Sequence, residues 1–530
     1  MRLDSIDIEA FRGIDHLTLR LEDLTTVIGE PDCGKSSLLR AVGRVLGPRD
    51  PESLPSFDVA DFHRPTDDED SRATTLAITL GLRAGDDRGD LAAGVPGIED
   101  GGVSLRVLAH RGTAGGPTTT VDVIDRAGVP LAGVDADELL GHLRRRHPAV
   151  IVGGPRAALA RGPGEGSEAS SRLRSMLADR PRATESLTWD QLSEVREDIV
   201  QAGGRLAQQL GPPEKRRRSV LAMTDTPRAL VTDLGSALEP DAGPRRRIAA
   251  TWLLAAILDA VPERGLGSEA EPILLFDDIE ANLHPTWLAA FAAVAFNLPF
   301  QQLVATHSPE VLSWVPLSSL RRLTRGPEGI EARAVRTSRY SVAELRRLTF
   351  HLRLNRGGSF FARGWVLVEG ETEAWLVPEF ARLAGVELPV EGIRVIEFAQ
   401  SGLGPLMKLA DDLGIGWVVL ADGDPAGKNY ARRVQEHLAE SDSTGRVVVL
   451  PARDIEHYLF ESGYADVIRA AGQAGRTRSA SKVIKAATER VTKPGLALLI
   501  LEAADERGPE GVPGVLRELA ASAQASARGV

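Results

Sequence analysis

Two groups of residues in this chain have the types and spacing for phosphate and metal chemistry. Residues 29–36, GEPDCGKS, fit the pattern G-x-x-x-x-G-K-[ST] between a strand-like run, LTTVI, and a helix-like run from Lys35 to about Leu46. In that setting a glycine-rich turn aims successive backbone N–H groups at phosphate oxygens, and the helix N-terminus adds a favourable dipole. Gly29 and Gly34 bound the turn. Lys35 can reach the β and γ phosphates, and Ser36, with Ser37 beside it, offers a hydroxyl to Mg²⁺. Residues 273–278, ILLFDD, form an apolar run that ends in two carboxylates. A buried strand delivering an acid at its tip is what a second Mg²⁺ contact needs. Asp277 is assigned to the metal, directly or through water, and Asp278 to the water-orienting base. His307, in ATHSP after the run Gln302 to Ala305, stands where a γ-phosphate sensor is expected.

The second group is acidic. Residues 366–373, VLVEGETE, place Glu369 and a glycine at a strand end, and residues 418–424, VVLADGD, end another strand with Asp422 and Asp424. Carboxylates at i and i+2 leaving a strand can converge on one cation, with Gly423 small enough to allow it. With Glu369 they make a pocket of three acids. Such acids repel unless a cation or proton lies between them. Oxygen ligands suit Mg²⁺ or Mn²⁺.

The elements that must position these residues can be read from periodicity. Residues 1–28 alternate in strand fashion, and residues 73–83, 102–110 and 117–125 are further alternating runs that predict an antiparallel sheet. Residues 140–230 read as helical and polar, with a Gly-rich break at 162–166, the place for an inserted or dimerising element. An apolar helix at 248–261 leads to the strand carrying Asp277. From Trp365, strands WVLV, IRVIEF, WVVLAD and RVVVL alternate with helices at 373–384, 403–413 and 426–438, which predicts a parallel sheet. The last 70 or so residues read as helical, with a loosely ordered Ala-rich tail.

Bulk properties set limits. At 530 residues the chain exceeds one hydrophobic core. No apolar run is long enough to span a bilayer, since the best, Ile248 to Val261, is short and holds Asp259. The first residues lack the apolar core of a secretion signal. A single cysteine, Cys33, excludes an intramolecular disulfide framework and a Cys-rich zinc site, and fits a reducing cytoplasm. Net charge is −11, which neither requires nor excludes nucleic acid. Arginine-rich runs at 144–146, 215–218, 245–247 and 321–325 are candidate backbone-phosphate contacts, the last ranking highest. No base-reading motif is visible.

The first half resembles the ABC ATPases of the SMC/RecF/OLD group. Phe11-Arg12-Gly13, the phosphate loop, the ILLFDD strand with EANLHP after it, and THSP occur in that group's order. The resemblance implies a head that dimerises around ATP, each nucleotide meeting the other subunit's signature loop. Three positions depart from the pattern. Residues 240–247, PDAGPRRR, keep only the glycine of a signature, no glutamine precedes Gln191, and Asp278 replaces the more common Glu. Slow hydrolysis, used as a switch, is expected from them. Residues 345–530 resemble the OLD (overcoming lysogenisation defect) family of ATP-dependent endonucleases and their Toprim domain. By that likeness Glu369 and Glu373 match the acidic pair after the first Toprim strand and Asp422 and Asp424 its DxD. Glu456 matches the later acid, and Lys493 a lysine that stabilises charge on the scissile phosphate.

The expected architecture is α/β. An ABC-type head with an antiparallel β lobe and helical insertion (1–345, insertion about 140–230) precedes a Rossmann-like Toprim domain (346–460) and C-terminal helices (461–530). The expected function is ATP-regulated DNA cleavage or nicking in phage defence or repair. Two metals roughly 4 Å apart would serve it, one held by Glu369 and Glu373 and the other by Asp422 and Asp424. The other reading is a RecF/SMC-like DNA-binding ATP switch with a non-cleaving Toprim fold. A homodimer is expected through the heads or the insertion, with a helicase partner left open. A topoisomerase would need a tyrosine nucleophile, and no recognisable separate domain carries one, while a zinc-ribbon primase is unsupported with one cysteine.

Overall fold

The computed structural model describes residues 2–48, 50, 52–65, 71–83, 102–112, 116–153, 243–260, 270–281, 283–326, 329–350, 357–438, 445–473 and 478–529. The chain divides into two compact units, Met1–Ala334 and Val335–Val530.

The first unit opens with β1 (Arg2–Phe11), β2 (Ile14–Arg20), β3 (Leu24–Gly29) and α1 (Lys35–Leu46). β4 (Thr75–Arg83), β5 (Val103–His110), β6 (Thr118–Ile124), α2 (Ala136–Arg146) and β7 (Ala149–Val152) follow. Then come α3 (Pro244–Ala260), β8 (Ile273–Asp277), α4 (Pro285–Ala295), β9 (Gln302–Ala305), β10 (Leu320–Gly326) and β11 (Gly329–Ala334). The period-two runs become an antiparallel sheet in the order β2-β1-β4-β5-β6, burying Ile6, Ile8, Leu17, Ile78, Leu80, Leu105 and Val107.

The second sheet runs β11-β10-β3-β9-β8-β7, parallel throughout except for the β10–β11 hairpin. Its strands are near-continuously apolar because both faces are covered. Val27, Leu275 and Leu303 share a core with Leu38, Leu39 and Val42 of α1. Leu274, Phe276 and Val304 face the other way, into a core with Leu253 and Leu254 of α3 and Phe291 of α4. Burying one such side chain stabilises by about 1.5–3 kcal/mol. A one-residue slip of β8 would exchange its two faces, so the sandwich itself fixes Asp277 at the strand tip.

Two parts of this unit differ from the sequence reading. The helical stretch expected over 140–230 yields α2, but Ala149–Val152 is a strand, paired in parallel with Ile273–Phe276. Four apolar residues carry too little pattern to reveal pairing with a partner more than a hundred residues away. Residues 154–242, with the Gly-rich break and the 215–218 run, lie outside the described residues. The β10–β11 hairpin was not expected either.

The second unit carries β12 (Gly364–Val368), α5 (Glu371–Leu383), β13 (Ile393–Glu397), α6 (Leu403–Leu413), β14 (Gly416–Ala421), α7 (Pro425–Leu438) and β15 (Val447–Val449). After them come α8 (Ile455–Leu459), α9 (Ala480–Val491), α10 (Lys493–Arg507) and α11 (Gly514–Arg528). All described strands of its sheet are parallel, in the order β13-β12-β14-β15. The chain passes from β12 to one side and then returns to the other, so β12 and β14 flank a topological switch point, where the strand ends leave a crevice. The Ala-rich tail is not loose. α11 buries Leu516, Leu519, Ala520 and Ala523, and the Ser526 hydroxyl donates to the Trp417 carbonyl at 3.3 Å. Alternating Leu and Ala at helical spacing make an apolar stripe narrow enough to lie on the sheet.

Candidate functional site

Each unit gathers its candidate residues at the C-terminal edge of a parallel sheet. In the first, β3, β8 and β9 end together, with Val27 and Asp277 both in register with Ala305. The loop from Gly29 to Lys35 turns through left-handed positions at Asp32 (φ 63°) and Gly34 (φ 81°). A Cβ on Gly34 would lie 2.7 Å from Ile14 Cγ1, so both conformation and space demand glycine there. Alternation of this kind turns backbone N–H groups into an anion-binding concavity. Lys35 is 5% exposed, and its ammonium donates to the carbonyls of Gly29 (2.9 Å) and Glu30 (2.7 Å). Burial lowers its pKa, with the acids around it acting the other way.

Ser36 donates to Asp277 Oδ1 at 2.9 Å, so the two expected Mg²⁺ contacts already touch. Burial raises the Asp277 pKa, which suits a carboxylate waiting for a cation. Asp278 sits at φ 46°, a strained position for a non-glycine residue, and its Oδ1 is buried without a hydrogen-bond donor. His307 Nε2 lies 3.8 Å from that oxygen. Ser37 follows on the first turn of α1, half-buried. The structure thus brings Gly29, Gly34, Lys35, Ser36, Ser37, Asp277, Asp278 and His307 to one edge. The buried cation, the N–H concavity and the Ser–Asp pair fit a nucleoside triphosphate with Mg²⁺.

Several residues here take contacts that the sequence did not show. Arg12, at φ 51°, donates from its backbone to Asp61 O (2.8 Å) and from Nε to Asp61 Oδ1 (2.7 Å), and Asp61 is fully buried. Arg325 donates to the carbonyls of Gly13 and Asp32 at 2.7 and 2.9 Å, bracing the phosphate loop. The 321–325 run is therefore not a free phosphate-binding patch. Arg321 and Arg322 are 5% and 4% exposed, and Arg321 pairs with Glu22 at 2.8 Å. Arg144 is likewise structural. It is 3% exposed and donates to the carbonyls of Val45, Asp50 and Ser53. In the 245–247 run, Arg245 is exposed at the start of α3.

In the second unit Glu369 and Asp422 leave the adjacent, parallel β12 and β14. Asp422 is pushed up to about 8, by burial first and then by Glu373, Glu369, Asp454 and Asp424. Burial also raises Glu369, with Asp424 adding to it, and Glu373, with Glu456 adding to it. Lys493 is a cation beside these acids. Its Nζ lies 3.1 Å from Glu456 Oε1, and despite partial burial the acids hold its pKa above the ordinary lysine value. All six expected residues therefore lie within electrostatic range of one another. The acid acting most on Glu369 is Asp424, and the acid acting most on Glu373 is Glu456. Glu373 also closes the first turn of α5, accepting from Gly370 N at 3.1 Å.

Two corrections follow. Among the described residues, no three His, Cys, Asp or Glu side chains converge closely enough to hold an ion as they stand, so the expected three-acid pocket is not preformed. Gly423 is needed for a different reason from the one expected. A Cβ there would lie 2.2 Å from the Ala452 carbonyl, so it lets the Asp422–Asp424 turn pack on the loop after β15. Asp454 is the member the sequence reading passed over, although it lies two residues before Glu456. Its Oδ1 caps α8 by accepting from His457 N (2.8 Å) and lies 2.6 Å from His457 Nδ1. An all-oxygen set in which burial first, and neighbouring acids next, raise Glu369, Glu373 and Asp422 fits a hard divalent cation.

Residues 1–359 match a family described as "Protein of unknown function (DUF2813)", and residues 360–424 match the Toprim domain of overcoming-lysogenization-defect-like proteins. The chain belongs to the DUF2813 family. A relative within reach of the whole chain is "Uncharacterized protein YbjD" of Escherichia coli (strain K12), 32% identical over 98% of each chain. Among solved structures, the C-terminal region of the Burkholderia pseudomallei OLD protein is 24% identical, covering 32% of this chain and 99% of that one, at a TM-score of 0.27. The SMC head domain from Thermotoga maritima is 13% identical, covering 63% and 99%, at 0.30. This DUF2813 chain is α/β, an antiparallel lobe and a largely parallel sheet followed by an OLD-like Toprim domain and helices. Among its described residues no helix is long and apolar enough to cross a membrane.

Proposed function

We propose that this protein is an ATP-regulated, divalent-metal-dependent DNA endonuclease or nickase. The observation that carries the reading is the meeting of Glu369, Glu373, Asp422, Asp424 and Glu456 with Lys493 at the switch point of a parallel sheet. A structural scaffold gains nothing from acids that raise one another's pKa, whereas a cation site needs them. Mg²⁺ or Mn²⁺ bound there would activate water and stabilise the leaving oxygen of a phosphodiester. Glu369, Glu373, Asp422 and Asp424 would hold the metal. Lys493 would offset charge on the scissile phosphate once its hold on Glu456 loosens. DNA as substrate rests on the OLD-like Toprim match and homodimerisation on the likeness to ABC heads.

In the first unit Lys35 and the loop N–H groups would hold the phosphates and Ser36 and Asp277 the Mg²⁺. Asp278, one methylene shorter than Glu, would orient water. That geometry supports slow turnover and a regulatory use of ATP. A measured turnover typical of a translocating motor would contradict it.

Plasmid cleavage with Mg²⁺ or Mn²⁺, with and without ATP, tests the proposal on wild type, Asp422→Ala and Lys35→Ala. Wild type should nick or cut, Asp422→Ala should not, and Lys35→Ala should lose only the response to ATP. Cleavage that survives Asp422→Ala overturns the metal assignment. One observation favours a second reading, a DNA-bound ATP switch with a non-cleaving Toprim fold: the acids are not arranged as a finished metal cage. Absence of cleavage under every metal and nucleotide condition would decide for it.

A further inference from the structure

Glu280 has no part in the roles set out above, yet it joins the two loops on which ATP hydrolysis would depend. It lies two residues beyond Asp278, on the turn that leaves β8. Its Oε1 accepts from the Thr306 hydroxyl at 2.7 Å and from the His307 backbone N–H at 2.7 Å. Thr306 is fully buried, and its hydroxyl oxygen accepts in turn from Ser308 N at 3.0 Å. Ser308 then caps the short helix at 309–312 by accepting from Glu310 N at 3.2 Å. The loop after β9 is therefore tied by a carboxylate from the loop after β8, besides the backbone bond from Thr306 N to Val27 O at 3.2 Å. Within that bracket His307 Nε2 comes to 3.8 Å from Asp278 Oδ1, and Asp278 holds a strained backbone. Glu280 Oε2 and Asp278 Oδ1 are both buried with no hydrogen-bond donor, so neither carboxylate is saturated by the protein. A buried acceptor left this way is unfavourable, which points to a positional use.

We infer that Glu280 is a positioning residue for hydrolysis, fixing the Thr306–His307 loop so that His307 and Asp278 face the γ-phosphate together. It would touch neither nucleotide nor water. The inference rests on the reading of the first unit as an ATP site. Its signature is a split between kcat and binding, because the phosphate loop, Lys35 and Ser36 make no contact with Glu280 among those described above.

The test measures steady-state ATPase and fluorescent-ATP binding for the full chain as wild type, Glu280→Ala, Glu280→Gln and Thr306→Val, with Lys35→Ala as control. Glu280→Ala should lower kcat about tenfold or more, with nucleotide Kd within about twofold of wild type. Thr306→Val, which removes one of the two donors, should fall between them. Glu280→Gln keeps a carbonyl oxygen for Thr306 and His307 and should retain most of the activity, which also covers the case that Glu280→Ala does not fold. Unchanged kcat in Glu280→Ala overturns the inference. A loss in Glu280→Gln as deep as in Glu280→Ala also overturns it, in favour of a charged role at the reacting atoms. If wild type neither binds nor hydrolyses ATP, the nucleotide reading fails first and takes the inference with it.

Discussion

At the scale of single residues, acidity and space decide what the two sites can do. Asp422 carries the strongest resolved perturbation of the acid cluster, from burial first and then from the charges of four other acids. Replacing it with Ala should cut metal-dependent cleavage at least about 100-fold, the loss expected when a group worth several kcal/mol to the transition state goes. Calorimetric titration should show weakened Mn²⁺ binding in the same variant. Gly423 makes a sharper test, because it leaves every carboxylate in place. Gly423→Ala forces a Cβ to within 2.2 Å of the Ala452 carbonyl and should displace the turn between Asp422 and Asp424. The expected outcome is lost cleavage together with about 1–3 kcal/mol lower stability in urea unfolding. Full activity in that variant would show that the turn tolerates displacement. The charges of the two sites were legible in the sequence because strand-end acids and a glycine-rich loop have recognisable spacing. Asp454, Glu280 and Arg325 were not, because their roles come from contacts between loops far apart in the chain.

At the scale of elements, the long periodic segments were readable and the short ones were not. α1, α6, β9 and the antiparallel strands fell where the pattern places them. β7 did not, since its hydrogen bonds come from β8, and the ordered tail did not, since its apolar stripe has meaning only against β14. β7 follows His147, which ends α2, is 6% exposed and is pushed down to about 3 by burial. The fold therefore holds a neutral imidazole, while the unfolded chain takes up a proton below its ordinary pKa of about 6.5. Stability from this group is complete above that value and is lost as pH falls towards about 3. Chemical denaturation of wild type and His147→Gln between pH 7 and pH 4 should show a shallower decline in the variant. Equal slopes would remove His147 as a cause. Truncation before Gly514 strips Leu516, Leu519, Ala520 and Ala523 from the second unit's core. At about 1.5–3 kcal/mol for each leucine, that loss should abolish its cooperative melting.

At the scale of the whole molecule, each unit has its own hydrophobic core and its own candidate site. Residues 335–530 expressed alone should fold, with a helical circular dichroism spectrum and a cooperative melt. ATP with Mg²⁺ should raise the melting temperature of the full chain and leave that fragment unchanged, because only the first unit carries a phosphate loop. A fragment that responds to ATP would place nucleotide in the second unit.

What the sequence by itself determined is the identity of the reactive groups and the class of two of the three sheets, the antiparallel one and that of the second unit. Spacing within a loop, strand or helix is a local property, and local properties survive in a linear string. The tertiary structure alone decided which acids confront one another, that arginines 144, 321 and 322 serve the interior, and that one glutamate spans two loops of the first unit. Those outcomes depend on which strand ends lie side by side, and that is set by parallel pairing and two-sided burial between segments far apart in sequence.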